Sequence, residues 1–408
     1  MNQKADFNPG FFRGNRDVLR DSLHFEAPVI VTAHGLLQRS HDTTFPFSQD
    51  RNFWYLTGLD EPNLSLVIDG PSEFLILPEA DATRDIFDGA IDLAALSSSS
   101  GIAEIMNYRD GWRRVYALAR KANAANICQS STPYQKMFGV YVNPARRALM
   151  SRLRRHVPGI KLFDVRAQLA FQRQHKQTAE IAAIKRAVAI TTESFDEISR
   201  NNQLKRYGYE YELEAAIGCA FRNRGAQGHA YAPIVAAGNS ATTLHYTLNE
   251  SEIQTADLLV VDAGAEYSNY AADITRTITQ KPLQGRRKDI YDAVISIQKY
   301  AVSLLKPGVF LRDFEAMIVA EMGVRLQELG LVVDPADTEQ VRKYYPHATS
   351  HFLGLDVHDV GDYRLSLAPD MVLTCEPGIY VPEEGIGVRI EDDILITSDG
   401  NQNMSANC

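Results

Sequence analysis

From residue 179 onwards the sequence runs through one order of elements twice. Helical periodicity covers residues 179–200, where Ile181, Ile184, Val188, Phe195 and Ile198 recur at three- and four-residue spacing. A second helix is expected over 211–224, closed by Gly225, and strand-like residues around His245 lead into the stretch 258–277. The series then repeats. Residues 288–305 read as a helix broken by Lys306-Pro307-Gly308, and 314–329 as another closed by Gly330. A histidine-bearing segment, 347–358, then leads into 371–397. Two α-α-β-β halves in tandem predict a pseudo-symmetric domain whose matching β-segments meet near a common axis.

Each β-segment carries two acids at matching places. Asp257-Leu-Leu-Val-Val-Asp262-Ala-Gly264 resembles Asp370-Met-Val-Leu-Thr-Cys-Glu376-Pro-Gly378: an apolar strand, an acid, then a small turn with glycine. The returning arms carry Asp273 and Glu391. In Val388-Arg389-Ile390-Glu391, period-two alternation sets Arg389 and Glu391 on one face. Folded as a hairpin, 258–277 is expected to place Asp262 opposite Asp273, with Cβ atoms ~4.5–5.5 Å apart. Facing carboxylates out of water need a cation or a shared proton; on this hairpin alone, a protonated pair or a solvated strand end stays open. The second hairpin narrows the choice, because four convergent acids are hard to explain as surface solvation.

Four carboxylates carry the charge that two divalent cations neutralise. Oxygen-rich sites suit Mn, Mg or Ca, and one imidazole shifts the preference towards a first-row metal. Imidazoles are at hand in His347-Ala-Thr-Ser-His351-Phe-Leu-Gly-Leu-Asp-Val-His358. His347 and His351 have the i, i+4 spacing of a helical zinc site, but no glutamate follows His347 and no HExxH pattern is formed. Paired ions ~3.5–4 Å apart generate hydroxide at neutral pH, so metal-assisted hydrolysis is the expected reaction class.

A chain of 408 residues is too long for one ordinary core. Residues 1–172 read as a mixed α/β domain, with strands at 28–32, 64–68 and 74–77, helices at 111–121 and 145–155, and a loop from Ser97 to Gly101. A break at 172–177 opens the second domain, 173–408. The basic run between Arg146 and Arg155 reads as a solvated helix face. With 42 basic residues against 51 acidic ones the chain carries −9, the wrong sign for nucleic acid or an anionic membrane as a main partner. Cys128, Cys219, Cys375 and Cys408 form no CxxC pair, so neither a disulfide framework nor a zinc cluster is indicated. The residues after Met1 lack the apolar core of a signal peptide, and no apolar run approaches the ~20 residues that span a bilayer. A cytoplasmic location is the expectation.

Six ordered motifs add a resemblance. His245-Tyr-Thr, Asp262-Ala-Gly, Asp273-Ile-Thr-Arg-Thr, Ser350-His351-Phe-Leu-Gly-Leu-Asp-Val-His358-Asp, Thr374-Cys-Glu376-Pro-Gly and Gly387-Val-Arg389-Ile-Glu391-Asp-Asp closely resemble those of the pita-bread metallopeptidases. Within that group they are similar to the aminopeptidase P (Xaa-Pro aminopeptidase) family. Asp50-Arg-Asn-Phe53-Trp-Tyr55-Leu-Thr-Gly58 with Glu61-Pro62 resembles that family's N-terminal domain.

The resemblance implies an α/β (α+β) fold, an N-terminal mixed α/β domain followed by a pseudo-symmetric pita-bread α-α-β-β/α-α-β-β catalytic domain. It implies that Asp262, Asp273, His351, Glu376 and Glu391 hold two divalent metal ions per chain, usually Mn²⁺, with Asp273 and Glu391 bridging. Glu376 would also act as general base, while His245 and His358 would stabilise the tetrahedral intermediate. Arg389 and Tyr380 would position the peptide, and Tyr231 and His347 would line the proline pocket. The implied reaction removes the N-terminal residue from peptides with proline second, by a metal-bridged hydroxide, in a dimer or tetramer. An Xaa-Pro bond has no N–H, which excludes enzymes that grip one but not a site working through metal. Members of the family typically continue into a further helical segment, and residues 381–385 look short for it, so a truncated C-terminus and an altered entry loop are expected. Prolidase, which cuts only Xaa-Pro dipeptides, is the alternative activity. A non-catalytic binding module and a metal-free creatinase-like hydrolase would both lack the five ligand positions, which are all filled here.

Overall fold

The computed structural model describes residues 7–23, 27–80, 82–130 and 139–406; the start of the chain, on which the signal-peptide reading rests, and Cys408 lie outside them. The chain divides into two compact units, Asp6–Gln172 and a second beginning at Arg173.

The first unit is built on a six-stranded mixed sheet. Its order is Glu104–Met106, Ser72–Ile76, Ser65–Asp69, Val29–Thr32, Ala124–Ile127, Lys161–Asp164. Val29–Thr32 lies inside it, antiparallel to Ser65–Asp69 and parallel to Ala124–Ile127. Parallel neighbours need a crossover, and the helix Ala145–His156 supplies one between Ala124–Ile127 and Lys161–Asp164. That helix buries Leu149 and Leu153 and leaves Arg147, Arg154 and Arg155 exposed, whereas Arg146 pairs with the buried Asp50 and Arg152 lies over the Trp112 ring, so only part of the basic run is a solvated face. The loop expected at Ser97–Gly101 is instead the end of a helix, Leu93–Ser100. Asp92 caps its start, Ser100 Oγ bonds back to the Leu96 carbonyl, and Gly101 closes it. The serine run concealed a helix because serine's ambiguous propensity was overridden by its two caps.

In the second unit the helices fall at Thr178–Ser199, Glu210–Asn223, Gly285–Leu304 and Leu311–Glu328. The second and fourth end at Gly225 and Gly330, whose neighbours Ala226 and Leu331 donate back to the Phe221 and Leu326 carbonyls. Both β-segments are hairpins with smaller hairpins set into them. Leu258–Asp262 pairs with Thr275–Thr279, enclosing Ala265–Tyr267 and Tyr270–Ala271; Val372–Cys375 pairs with Asp392–Ile396, enclosing Gly378–Val381 and Ile386–Arg389. The inner hairpins shift the register that a simple fold-back predicts. Asp262 faces Thr275 rather than Asp273. Asp273 leaves the ladder, and its N–H donates to Asp393 Oδ2 of the other half. The turn after Asp262 is tight: a Cβ on Gly264 would lie 1.7 Å from the Ala272 carbonyl oxygen, so only glycine fits.

The halves lock together through backbone and side chain. Glu391 N–H donates to the Thr275 carbonyl, and Thr277 Oγ1 donates to the Arg389 carbonyl while receiving the Arg389 N–H. Their shared geometry brings the four strand-end acids to one place. Among the described residues no helix is long and apolar enough to cross a membrane.

Candidate active site

Three strand-end or loop positions converge first. Ligand atoms of Asp273, His351 and Glu391 all lie within 4.8 Å of one another. His351 Nε2 is 3.4 Å from Asp273 Oδ2 and 3.4 Å from Glu376 Oε1, which brings in a fourth group. The fifth, Asp262, joins through Tyr231, whose hydroxyl is 2.5 Å from Asp262 Oδ1 and 2.6 Å from Asp273 Oδ1. All five expected ligand residues are therefore in one cluster. His347 and His351 are not on a helix; the helix Thr338–Tyr344 stops before both, so the i, i+4 spacing carried no structural meaning.

The electrostatics have the character of a cation site. Burial raises the pKa of Asp262, with Asp273 adding to it and Arg389 opposing. Burial takes Glu376 up to about 7 against the pull of His351, and drives Glu391 well above the carboxylate range, helped by Asp273, Glu376 and Asp262. Protein groups alone do not neutralise these acids. Tyr231 makes the same point by counting: one phenol proton cannot serve two carboxylate oxygens, so a carboxyl proton or a cation must fill the deficit. His351 Nδ1 lies 3.0 Å from the Phe352 carbonyl and its N–H donates there, which leaves Nε2 facing the acids. Burial would lower the His351 pKa, but Asp273 and Glu376 raise it to about 9, so without a cation the ring is an imidazolium, and a bound cation would take the place of the Nε2 proton. Four carboxylates and one imidazole that meets them through Nε2 fit paired first-row divalent ions.

The surrounding groups fix the acids. Thr275 Oγ1 donates to Glu391 Oε2 at 2.6 Å. Arg389 donates to Asp262 Oδ2 at 2.5 Å, to Thr275 Oγ1 at 3.1 Å and to Tyr380 Oη at 2.9 Å. Tyr380 Oη in turn meets His347 Nε2 at 2.9 Å. The hydroxyl of Tyr231, a residue expected to line the proline pocket, lies between Asp262 and Asp273. His358 sits edge-on to His351, ring centroids 4.3 Å apart. His245 and His358 are both exposed, and the charge of His245 reaches both His347 and His358. Burial of His347, and partial burial of the His358 ring, hold both down at about 4, with Arg389 next in importance for the former and His351 for the latter, so both rings are neutral at pH 7.

Thr275, Asp393 and Arg276 were missed by sequence reasoning. Arg276 donates to the Glu391 carbonyl, to Asp392 Oδ1 and to the Ser405 carbonyl, clamping the Glu391 strand from behind. The alternation in Asp273-Ile-Thr-Arg-Thr was the available signal: Thr275 and Thr277 share the face that meets the second hairpin.

A pH dependence follows for protein stripped of metal by chelation. Glu376 has a folded-state pKa of about 7 against an ordinary 4.5. The unfolded chain therefore releases that proton first, and stability falls as pH rises through this window. Urea unfolding of chelated protein should show a lower midpoint at pH 7 than at pH 5, with added divalent metal reversing the order; a higher midpoint at pH 7 without metal would contradict the site's electrostatics.

The sequence matches metallopeptidase family M24 over residues 182–398 and the aminopeptidase P N-terminal domain over residues 12–127. It is 33% identical to an Xaa-Pro aminopeptidase of Escherichia coli K12, over 97% of this chain and 94% of that one. It is 32% identical to human Xaa-Pro aminopeptidase 3, over 93% of this chain and 78% of the other. Among solved structures, a zinc-substituted Escherichia coli aminopeptidase P in complex with product superimposes with a TM-score of 0.85 at 30% identity, covering 98% of this chain and 95% of that one. Proline aminopeptidase P II of Yersinia pestis gives 0.84 at 32% identity, covering 98% and 96%.

Proposed function

The chain belongs to metallopeptidase family M24, and we propose on that premise that it removes the N-terminal residue from peptides with proline second. It is a hydrolase, a metal-dependent aminopeptidase. The observation that carries the reading is the convergence of Asp262, Asp273, His351, Glu376 and Glu391 from two matching hairpins and one loop. These five residues would hold two divalent ions, and the family resemblance supports Mn²⁺ and a homo-oligomer of two or four chains. Bound there, such ions supply Lewis acidity and lower the pKa of water.

The protein's own groups divide the remaining work. Glu376 would take a proton from the attacking water and pass it to the departing proline nitrogen. His245 and His358 are both exposed, and each would donate an N–H to the oxyanion that develops on the scissile carbonyl. Arg389 and Tyr380 orient the peptide chain, with His347 fixing the Tyr380 hydroxyl. Tyr231 orients Asp262 and Asp273. The free amino end of the substrate is expected near the acids, which would exclude blocked peptides.

Hydrolysis of Xaa-Pro-Xaa peptides with and without added Mn²⁺ tests the reading. The free peptide should be cleaved, while its N-acetylated form and its alanine-for-proline form should show kcat/KM lower by roughly 10²-fold or more, the scale on which a site rejects a ligand that leaves polar groups unpaired. Equal rates on all three would refute the assignment. Cleavage of Gly-Pro but of no tripeptide would make the enzyme a prolidase.

A further inference from the structure

The loop that carries His351 and His358 has neither helix nor strand between residues 353 and 365. His358 at its crest is exposed, yet the next residue, Asp359, is 5% exposed and lies in a dense knot of charge. Arg173 donates to Asp359 Oδ1 at 2.5 Å and to Asp356 Oδ2 at 2.8 Å; Lys176 Nζ donates to Asp359 Oδ2 at 3.0 Å and to the Arg173 carbonyl at 2.6 Å. Gln174 Oε1 accepts the Asp362 N–H at 2.8 Å, and Lys176 N–H donates to the Asp370 carbonyl at 2.8 Å. A single four-residue segment, Arg173 to Lys176, thus grips the loop at both ends of the turn after His358. Burial would raise the Asp359 pKa, but Arg173 and Lys176 reverse this and keep it ionised.

Stability does not explain such a knot. Arg173 and Lys176 are 2% and 3% exposed, and burying two cations with a carboxylate costs desolvation that the ion pairs do little more than return. What the knot supplies is position. A carboxylate held from two directions by side chains on one segment cannot slide along the loop, and its backbone is that of His358. Asp359 N–H is also bonded to the Phe352 carbonyl at 2.8 Å, which closes the loop back onto the residue after His351. Space is matched as well: a Cβ on Gly354 would meet Asp359 Oδ2 at 2.1 Å and Lys176 Nζ at 2.9 Å.

We propose that Asp359, clamped by Arg173 and Lys176, is a positioning residue that sets the place of the His358 imidazole relative to His351. The inference rests on the role assigned to His358 under the proposed function. Arg173 and Lys176 act at one remove, through the Asp359 carboxylate. The clamp gives an exposed ring on an irregular loop the fixed geometry that a donor to a developing charge requires.

The test is Asp359→Asn in the full chain loaded with Mn²⁺, combined with His358→Ala in a double-mutant cycle. Asp359→Asn alone should lower kcat on an Xaa-Pro-Xaa peptide roughly 10-fold or more, with KM and metal content near wild type. In the His358→Ala background it should have no further effect, because there is no imidazole left to misplace. A merely structural role would cost the same factor in both backgrounds, and that outcome, or a kcat within about twofold of wild type, overturns the proposal. If Asp359→Asn does not fold, Arg173→Lys keeps the charge but loses the fork that spans Asp356 and Asp359; it should give a smaller kcat loss, again only when His358 is present. A readout independent of activity is the His358 ring resonance in histidine-labelled protein, assigned by its absence in His358→Ala. It should shift or broaden in Asp359→Asn or Arg173→Lys, and an unchanged resonance overturns the proposal. Failure of the wild-type enzyme to cleave any Xaa-Pro-Xaa peptide, with the resonance shift present, would instead refute the proposed function and leave the clamp standing.

Discussion

Glu391→Ala is expected to reduce peptide hydrolysis by at least about 10³-fold, the scale on which loss of one electrostatic stabiliser is felt, and to lower the bound metal per chain. Glu391 is 1% exposed, accepts the Thr275 hydroxyl, and shares a cluster with Asp273 and His351 whose ligand atoms lie within 4.8 Å of each other. Burial and the neighbouring acids hold its pKa well above the carboxylate range, so its charge is tolerated only where a cation offsets it. On the proposed function, alanine would remove a ligand and a buried repulsion together. The two effects separate in the experiment. Metal analysis should show depleted ions, whereas the chelated variant should unfold at a denaturant concentration no lower than chelated wild type. Loss of activity with metal content intact would move Glu391 from the ligand set to the mechanism. Full activity of wild-type enzyme after exhaustive chelation would remove metal from the reaction altogether.

The convergent acids could be read from the sequence because Asp262 and Glu376 close apolar strands, and because the second half of the chain repeats the first. Asp262 and Glu376 occupy the same place before a glycine turn, as Asp273 and Glu391 do in the returning arms. Helix positions in the second unit were legible for the same reason: their apolar residues recur with a 3.6-residue period, and glycine closes two of them. What stayed hidden depends on contacts that no local pattern encodes. The inner hairpins moved Asp273 out of register with Asp262, and the register of a hairpin is set by turn geometry rather than by the acids it carries. Arg173 and Lys176 each lie more than 180 residues before Asp359, so their meeting with it is a fact of tertiary structure alone. The serine run at 97–100 misled because its helix is defined by Asp92 and Gly101 at its ends, not by its interior.

His358→Ala is expected to lower kcat by roughly 10²–10³, the cost of deleting a donor aimed at an oxyanion, with bound metal unchanged. The residue is exposed beside a buried cluster, its ring 4.3 Å from that of His351 between centroids. Burial and His351 keep it neutral down to about pH 4, so it offers an N–H without carrying a competing positive charge at pH 7. A neutral donor gains most when the carbonyl oxygen becomes charged, so the loss should fall on kcat more than on KM. His245→Ala should behave in the same way, since His245 is likewise exposed and close enough to His358 to act on it. Metal depletion in either variant would show the residue to be a ligand or a support for one. An unchanged kcat would exclude it from the chemistry, and with His358 excluded the Asp359 clamp would have no catalytic purpose.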